Sequence, residues 1–223
     1  MSARFRQAAS SINALPRHVL GDLVVLSSVE VKPGAELSLA VRLLRALARL
    51  EPRRHALPET KALTLHKNAL GRPSILLGEE EGPSLSFSHG TGRLWAAMGD
   101  RGSVGVDVAY PKEFAEGYPL ARAFRPEELQ WAEAFCNDRA QGAALVWSAK
   151  EAAVKATGTG FNRFDPLEVK VGPPRFIDRG MVCEVSAGRP VPVWSGPEDG
   201  GWLSVASVEG QGAGGVRCSR SDV

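Results

Sequence analysis

The chain has 223 residues, 43% of them hydrophobic and 23% charged, with a formal net charge of +2. That length suits one compact domain or two small ones with ample chain for a buried core, and the composition is that of an ordinary soluble globular protein. A charge of +2 is too small to argue for nucleic acid as the partner, and it fits any anionic ligand.

Cys136, Cys183 and Cys218 are widely spaced and form no CxxC pair, which speaks against both a disulfide framework and a zinc site. Arg4 and Arg6 are followed by mixed polar sequence, with no long apolar run. No signal peptide or membrane span is expected, so the protein is read as cytoplasmic.

In chain order, Leu23 to Val29 is an apolar run of strand length, and Pro33-Gly34 breaks it. Glu36 to Leu50 reads as a helix, with Leu37, Ala40, Val41, Leu44 and Leu47 as its apolar stripe and Arg42, Arg45 and Arg49 on another face. Leu63 to His66 is a short strand. Gly71-Arg72-Pro73 is a turn, Ile75 to Leu77 an apolar run, and Glu79 to Pro83 a polar loop. Leu85 to Ser88 alternates as a strand does, Gly90-Thr91-Gly92 signals a hairpin, and Leu94 to Met98 returns. Val104, Val106 and Val108 alternate with Gly105, Asp107 and Ala109 in a third strand.

Helical signals follow. Pro126 suits the first turn of a helix to about Phe135. Asp138 with Gln141 resembles a capping box for a helix running towards Thr157, and Gly158 is its stop. Strands return at Leu167–Val171, Met181–Val185, Val191–Trp194 and Trp202–Val208, and the tail from Gly210 is expected to be disordered. Mixed strands, hairpins and helices argue for an α+β fold. No repeat is visible in residue identity.

Several residues bear on chemistry. Asp107 interrupts a valine strand on the face opposite the valines. It is either an edge carboxylate facing water or a metal ligand or general base. Glu151 and Lys155 project from one helical face, as a surface ion pair does and as a catalytic pair would. Trp147 on that side suits a core aromatic. Ser88-His89 before a glycine turn offers hydroxyl and imidazole donors to an anion, and Arg72 offers a guanidinium on a stiff turn. Each has a plain structural reading when taken alone. No P-loop, GxGxxG after a strand, or GxSxG points to another enzyme class.

Order and spacing add more. Gly71-Arg72-Pro73, Phe87-Ser88-His89, Gly105-Val106-Asp107 and Trp147-Ser148-Ala149-Lys150-Glu151-Ala152 with Lys155 and Gly158 together resemble the motif series of the larger, Sfp-type 4'-phosphopantetheinyl transferases. That series includes G-[IV]-D-x-E and W-[ST]-x-K-E-A-x-x-K-x-x-G. The likeness spans roughly 63–158.

The resemblance implies two similar α/β halves related by a pseudo-twofold axis, here 1–101 and 102–209 with a tail at 210–223. Coenzyme A would lie between the halves, as substrate. A serine hydroxyl of an apo acyl or peptidyl carrier protein would attack its β-phosphorus. Asp107 and Glu151 would hold Mg²⁺. Glu151, with Lys155, would serve catalysis. Arg72, Ser88, His89, Lys150 and Lys155 would bind coenzyme A, with Arg42 or Arg45 as lesser candidates. The carrier is expected against the segment between Tyr110 and Phe135. No nucleic acid or membrane partner is implied, and a two-half chain that completes its own cleft suits a monomer.

One departure stands out. The family's D-x-E is Asp107-Val108-Ala109 here, so a methyl stands where a second carboxylate would share the face of Asp107. Mg²⁺ can be held by one or two carboxylates with phosphate and water, which favours activity. The alternative is a non-catalytic protein that binds coenzyme A or a carrier.

Overall fold

Runs of alternating apolar and polar residues give the chain its strands, and helix-period segments fall between them. The computed structural model describes residues 13–15, 20, 23–52, 63–115, 117–158, 160–177 and 180–209. The first half contains β1 (Asn13–Leu15), β2 (Val24–Glu30), α1 (Ala35–Leu50), β3 (Leu63–Lys67), β4 (Pro73–Leu77), β5 (Glu80–Glu81), β6 (Ser84–Gly90) and β7 (Arg93–Gly99). The second contains β8 (Ser103–Ala109), α2 (Pro126–Cys136), α3 (Arg139–Ala156), β9 (Lys170–Val171), β10 (Arg175–Ile177), β11 (Gly180–Ser186), β12 (Pro190–Glu198) and β13 (Gly201–Val208). The fold is mixed, with antiparallel sheets, as the α+β expectation required.

The strand order of the first large sheet is β1-β2-β7-β6; that of the second is β10-β11-β12-β13-β8, with β9 on β11. Strands β3, β4 and β5 form a small third sheet. The two large sheets share a pattern. In each, an early strand (β2 or β8) pairs with the last strand of a closing hairpin (β7 or β13), which pairs in turn with the strand before it. Each hairpin turns on two residues of positive φ, Thr91-Gly92 in one and Asp199-Gly200 in the other. Such turns match the right-handed twist of the strands they join.

Helix α1 covers one face of the first sheet, and Leu39, Leu43, Leu44 and Leu47 are fully buried there with Val25, Ala96 and Met98. Each such leucine contributes about 1.5–3 kcal/mol by leaving water. The stripe differs from the expected one: Leu37 is exposed, Val41 is half-buried, and Leu39 and Leu43 lie inside. The helix has more apolar positions than one face can hold, so the sheet selects among them. Arg42 leaves that face to bond the Ser27 hydroxyl and the Ser28 carbonyl of β2, while Arg45 and Arg49 are exposed.

Helices α2 and α3 cover the second sheet through a core rich in alanine and valine. The remaining faces of the two sheets meet each other. Val24, Leu26, Trp95 and Ala97 face Val104, Val106, Val108 and Val205 across that layer. Hence the strand valines of β8 point to the other sheet, and Gly105, Asp107 and Ala109 point to α3.

Boundaries hold closely elsewhere. Asp138 caps α3 by accepting from Gln141 N at 2.7 Å, and Gly158 follows the helix at φ 83°. Two strands, β1 and β10, have no counterpart in the sequence reading, Glu80–Glu81 pairs with β4 instead of looping freely, and only Lys170–Val171 of the expected Leu167–Val171 strand is extended in a ladder. The tail at 210–223 and Cys218 lie outside the described residues. Among the described residues no helix is long and apolar enough to cross a membrane.

Candidate active site

Edge strands β6 and β8 come together between the two sheets without a backbone ladder. Ser84, Ser86 and Ser88 share one face of β6, and their hydroxyls accept from the backbone N–H of Val104, Val106 and Val108 at 3.0, 3.1 and 3.2 Å. Buried N–H groups need acceptors, and a bare strand edge invites foreign strands. The serine row meets both needs and joins the halves of the chain.

On the other side of β8, α3 packs at the distance of backbone contact. A Cβ on Gly105 would lie 2.6 Å from Ala156 N and would collide with the Ala152 carbonyl. Only glycine admits this approach. It brings the C-terminal end of α3 against Asp107, two residues along the strand.

Asp107 Oδ1 accepts from Lys155 Nζ at 2.7 Å and from the Ser88 hydroxyl at 2.9 Å. Lys155 Nζ also donates to the Val106 carbonyl at 3.1 Å and lies 3.9 Å from Glu151 Oε2. Two carboxylates on different elements therefore converge on one ammonium. Burial pushes the Asp107 carboxyl up, with Lys155 and Ser88 opposing. Glu151 is pushed up to about 6, first by burial and then by the negative charge of Asp107, with Lys155 again opposing. Paired carboxylates so placed favour a cation between them. The donor set suits a hard divalent ion that also takes ligand oxygens, since Asp107 and Glu151 are only two. No group of three His, Cys, Asp or Glu gathers as a metal site among the described residues. The Ala109 methyl is fully buried in the core with Ala149, Ala152 and Ala153, so no third carboxylate stands on that face.

Glu151 and Lys155 form one wall of a cleft of about 320 Å³, which is also lined by Glu36, Lys67, Arg72, His89 and Gly158. Arg72 is aimed by its turn. Asn68 Oδ1 accepts from Leu70 N and Arg72 N, both at 2.9 Å, and Gly71 has φ 78°. The guanidinium crosses to the second half, bonding the Ser103 hydroxyl and lying against Gly158, where a Cβ would strike it. A wider depression of about 750 Å³ on the far side of Arg72 mixes Glu80, Glu81 and Asp100 with Arg101. The converging carboxylates are in the smaller cleft.

The expected ligands divide. Arg72, His89 and Lys155 line the cleft. Ser88 does not share a face with His89, because adjacent strand residues face opposite ways. His89 is exposed towards the α1 side, while Ser88 is buried on the side of the second sheet.

Lys150 is a correction. Its side chain is 0% exposed, and its ammonium bonds Glu128 Oε2 at 2.8 Å and the carbonyls of Ala123 and Pro166 at 2.9 Å each. Three donors meet three acceptors, leaving none for a ligand. Glu128 in turn accepts from Arg125 N and Val171 N. Adjacent residues on a helix point about 100° apart, so Lys150 enters the core while Glu151 enters the cleft.

Trp147 is half-buried, stacked on Phe161 at 5.3 Å and close to Phe124 and Phe114. Lys67 and Glu36 went unnoticed in the sequence. They are 31 residues apart, and their 2.9 Å ion pair at the cleft mouth is visible only once β3 lies beside α1.

Residues 103–180, about a third of the chain, match the family described as the 4'-phosphopantetheinyl transferase superfamily. The match begins at the first residue of β8 and takes in α2 and α3, and so contains Asp107, Glu151 and Lys155. The resemblance seen in the motifs is thus borne out over that stretch. No curated protein matches the chain.

Proposed function

From the match of 103–180 to the 4'-phosphopantetheinyl transferase superfamily, we propose that the protein moves the 4'-phosphopantetheine group of coenzyme A onto a serine of an apo acyl or peptidyl carrier protein. The observation that carries this is the convergence of Asp107 and Glu151 on Lys155 Nζ, in the wall of a cleft that also presents Arg72, His89 and Lys67. A polyanionic ligand is held by the arginine and lysine cations and by an imidazole N–H, and paired carboxylates there suit a metal ion shared with it.

Asp107 and Glu151 would hold Mg²⁺. When bound, it would neutralise pyrophosphate charge and stabilise the leaving phosphate. Lys155 meets the same charge as a point cation. Arg72 and His89 bind and orient the phosphates. Glu151 is ionised near neutrality, with its value of about 6, and accepts the proton of the carrier serine. The serine oxygen forms a bond to the β-phosphorus, the bond from that phosphorus to the bridging oxygen breaks, and adenosine 3',5'-bisphosphate leaves.

The shared strand order and the paired two-residue turns support two halves, 1–101 and 102–209, meeting near 100–102 and related by a pseudo-twofold axis. Both cleft walls come from one chain, which supports a monomer. The segment between Tyr110 and Phe135 is the proposed carrier contact. Ala109 favours a second reading, a protein that binds coenzyme A without transfer.

The test is intact-mass measurement of a panel of apo carriers incubated with the protein, coenzyme A and Mg²⁺. A gain of one phosphopantetheinyl group, lost on chelation and lost in Asp107→Ala and Glu151→Ala, is expected. No gain on any carrier, while a known transferase succeeds in parallel, would favour the binding protein.

A further inference from the structure

Ser88 has two bonds where its neighbours in the serine row have one each to the strand. Ser84 and Ser86 accept from a β8 amide and, among the described residues, neither touches a carboxylate. Ser88 accepts from Val108 N in the same way and also donates to Asp107 Oδ1 at 2.9 Å. A hydroxyl has one proton to give, so a Ser88 bonded to Asp107 has none for a phosphate oxygen. Its 6% exposure leaves little approach for a ligand in any case. Lys155, at 2.7 Å, falls on the same Oδ1. Both side-chain donors to Asp107 thus use one oxygen. Pinned there from two elements, with the backbone N–H of Val108 also bearing on it, the carboxylate has its rotation fixed.

We propose that Ser88 is a positioning residue: it fixes Asp107 Oδ1 so that the carboxylate serves the metal ion, and the anion-binding role of the Ser-His pair belongs to His89 alone. This rests on the reading of Asp107 as a metal ligand. The serine row is then more than a seam. Its last member carries the join between the halves into the metal site, so that the first half of the chain orients a carboxylate of the second.

The experiment is calorimetric titration of the full chain with coenzyme A, with and without Mg²⁺, for wild type, Ser88→Ala, Ser88→Thr and Ser84→Ala. In Ser88→Ala the metal-free affinity should stay within about twofold of wild type, while the gain conferred by Mg²⁺ falls about tenfold, the scale of one hydrogen bond to a charged group. Ser88→Thr, which keeps the hydroxyl, should restore that gain. Ser84→Ala removes a row bond without touching Asp107 and should leave both affinities in place. A comparable loss with and without Mg²⁺ in Ser88→Ala would make Ser88 a phosphate ligand and overturn the proposal, even with transfer by the wild type intact. An equal loss of the Mg²⁺ gain in Ser84→Ala would overturn it in favour of a general role of the seam. A wild type whose coenzyme A affinity ignores Mg²⁺ would overturn this inference together with the metal-dependent reading.

Discussion

Gly105 and Ala152 meet backbone to backbone: the Ala152 carbonyl occupies the space that a Cβ on Gly105 would need. This contact sets how near α3 lies to β8, and through it the distance from Glu151 and Lys155 to Asp107. Gly105→Ala must move the helix. Its expected cost is about 3 kcal/mol in urea unfolding, at the high end for overpacking, because backbone and not a flexible side chain stands in the way. A shift of this kind in the helix should also lower transfer about 100-fold. Near-wild-type values for both would show that α3 can give way without disturbing the site.

The buried pair of Lys150 and Glu128 is expected to matter for stability and not for coenzyme A affinity. Lys150→Met leaves a buried carboxylate without its cation and two carbonyls without a donor, for a loss of about 3–5 kcal/mol by chemical denaturation. Adding Glu128→Gln should recover part of that loss, since the amide removes the stranded charge and keeps an acceptor for Val171 N. A stable Lys150→Met variant with weakened coenzyme A binding would return Lys150 to the ligand set.

Transfer should have an acidic limb governed by Glu151. With the group pushed up to about 6, the proton acceptor is lost as pH falls through that value, and the rate falls with it. A bound cation favours the ionised form and moves the limb to lower pH. In metal-free Asp107→Asn, the like charge is removed, so the carboxyl ¹³C titration of Glu151 should move downward. A titration left unchanged in that variant would show that the two carboxylates do not sense each other.

Glu198, at the turn between β12 and β13, is pushed up to about 7, chiefly by burial and then by Asp199, with Arg93 opposing. A carboxyl raised on folding takes up extra protons in the folded state. Its effect on stability is therefore most favourable below the unfolded value near 4.5 and is lost as pH rises towards 7. The group is partly exposed, so solvent screening limits the effect to under about 1 kcal/mol. Glu198→Gln should accordingly raise Tm by about 1–3 °C at pH 8 and change little at pH 4. A lower Tm at pH 8 would show that the charge on Glu198 stabilises the hairpin.

The glycines show why motif spacing was informative. Gly105, Gly158 and Gly90 each stand where a side chain would strike a named neighbour: α3, Arg72 and Tyr110. Tyr110 is wedged between the two hairpins, since a Cβ on Gly90 or Gly201 would lie 2.6 or 2.7 Å from its ring, and Thr91 donates to its hydroxyl at 2.7 Å. The sequence carries such residues because packing demands them. It does not say which neighbour makes the demand.

Local order was legible for the same physical reason throughout. The period-2 valines of β8 fixed which face Asp107 takes, and Asp138 with Gln141 fixed where α3 begins. The i, i+4 spacing placed Glu151 and Lys155 on one side. These features depend on backbone geometry within a few residues. What tertiary structure alone decided was which of the available faces is buried. It chose Leu39 and Leu43 over Leu37 and Val41, and it sent Lys150 into the core beside a cleft-facing Glu151. It brought Ser88 to Asp107, and it brought Glu36 to Lys67. Each of these depends on contacts between segments distant in the chain, where desolvation and close packing, not local propensity, select the partner.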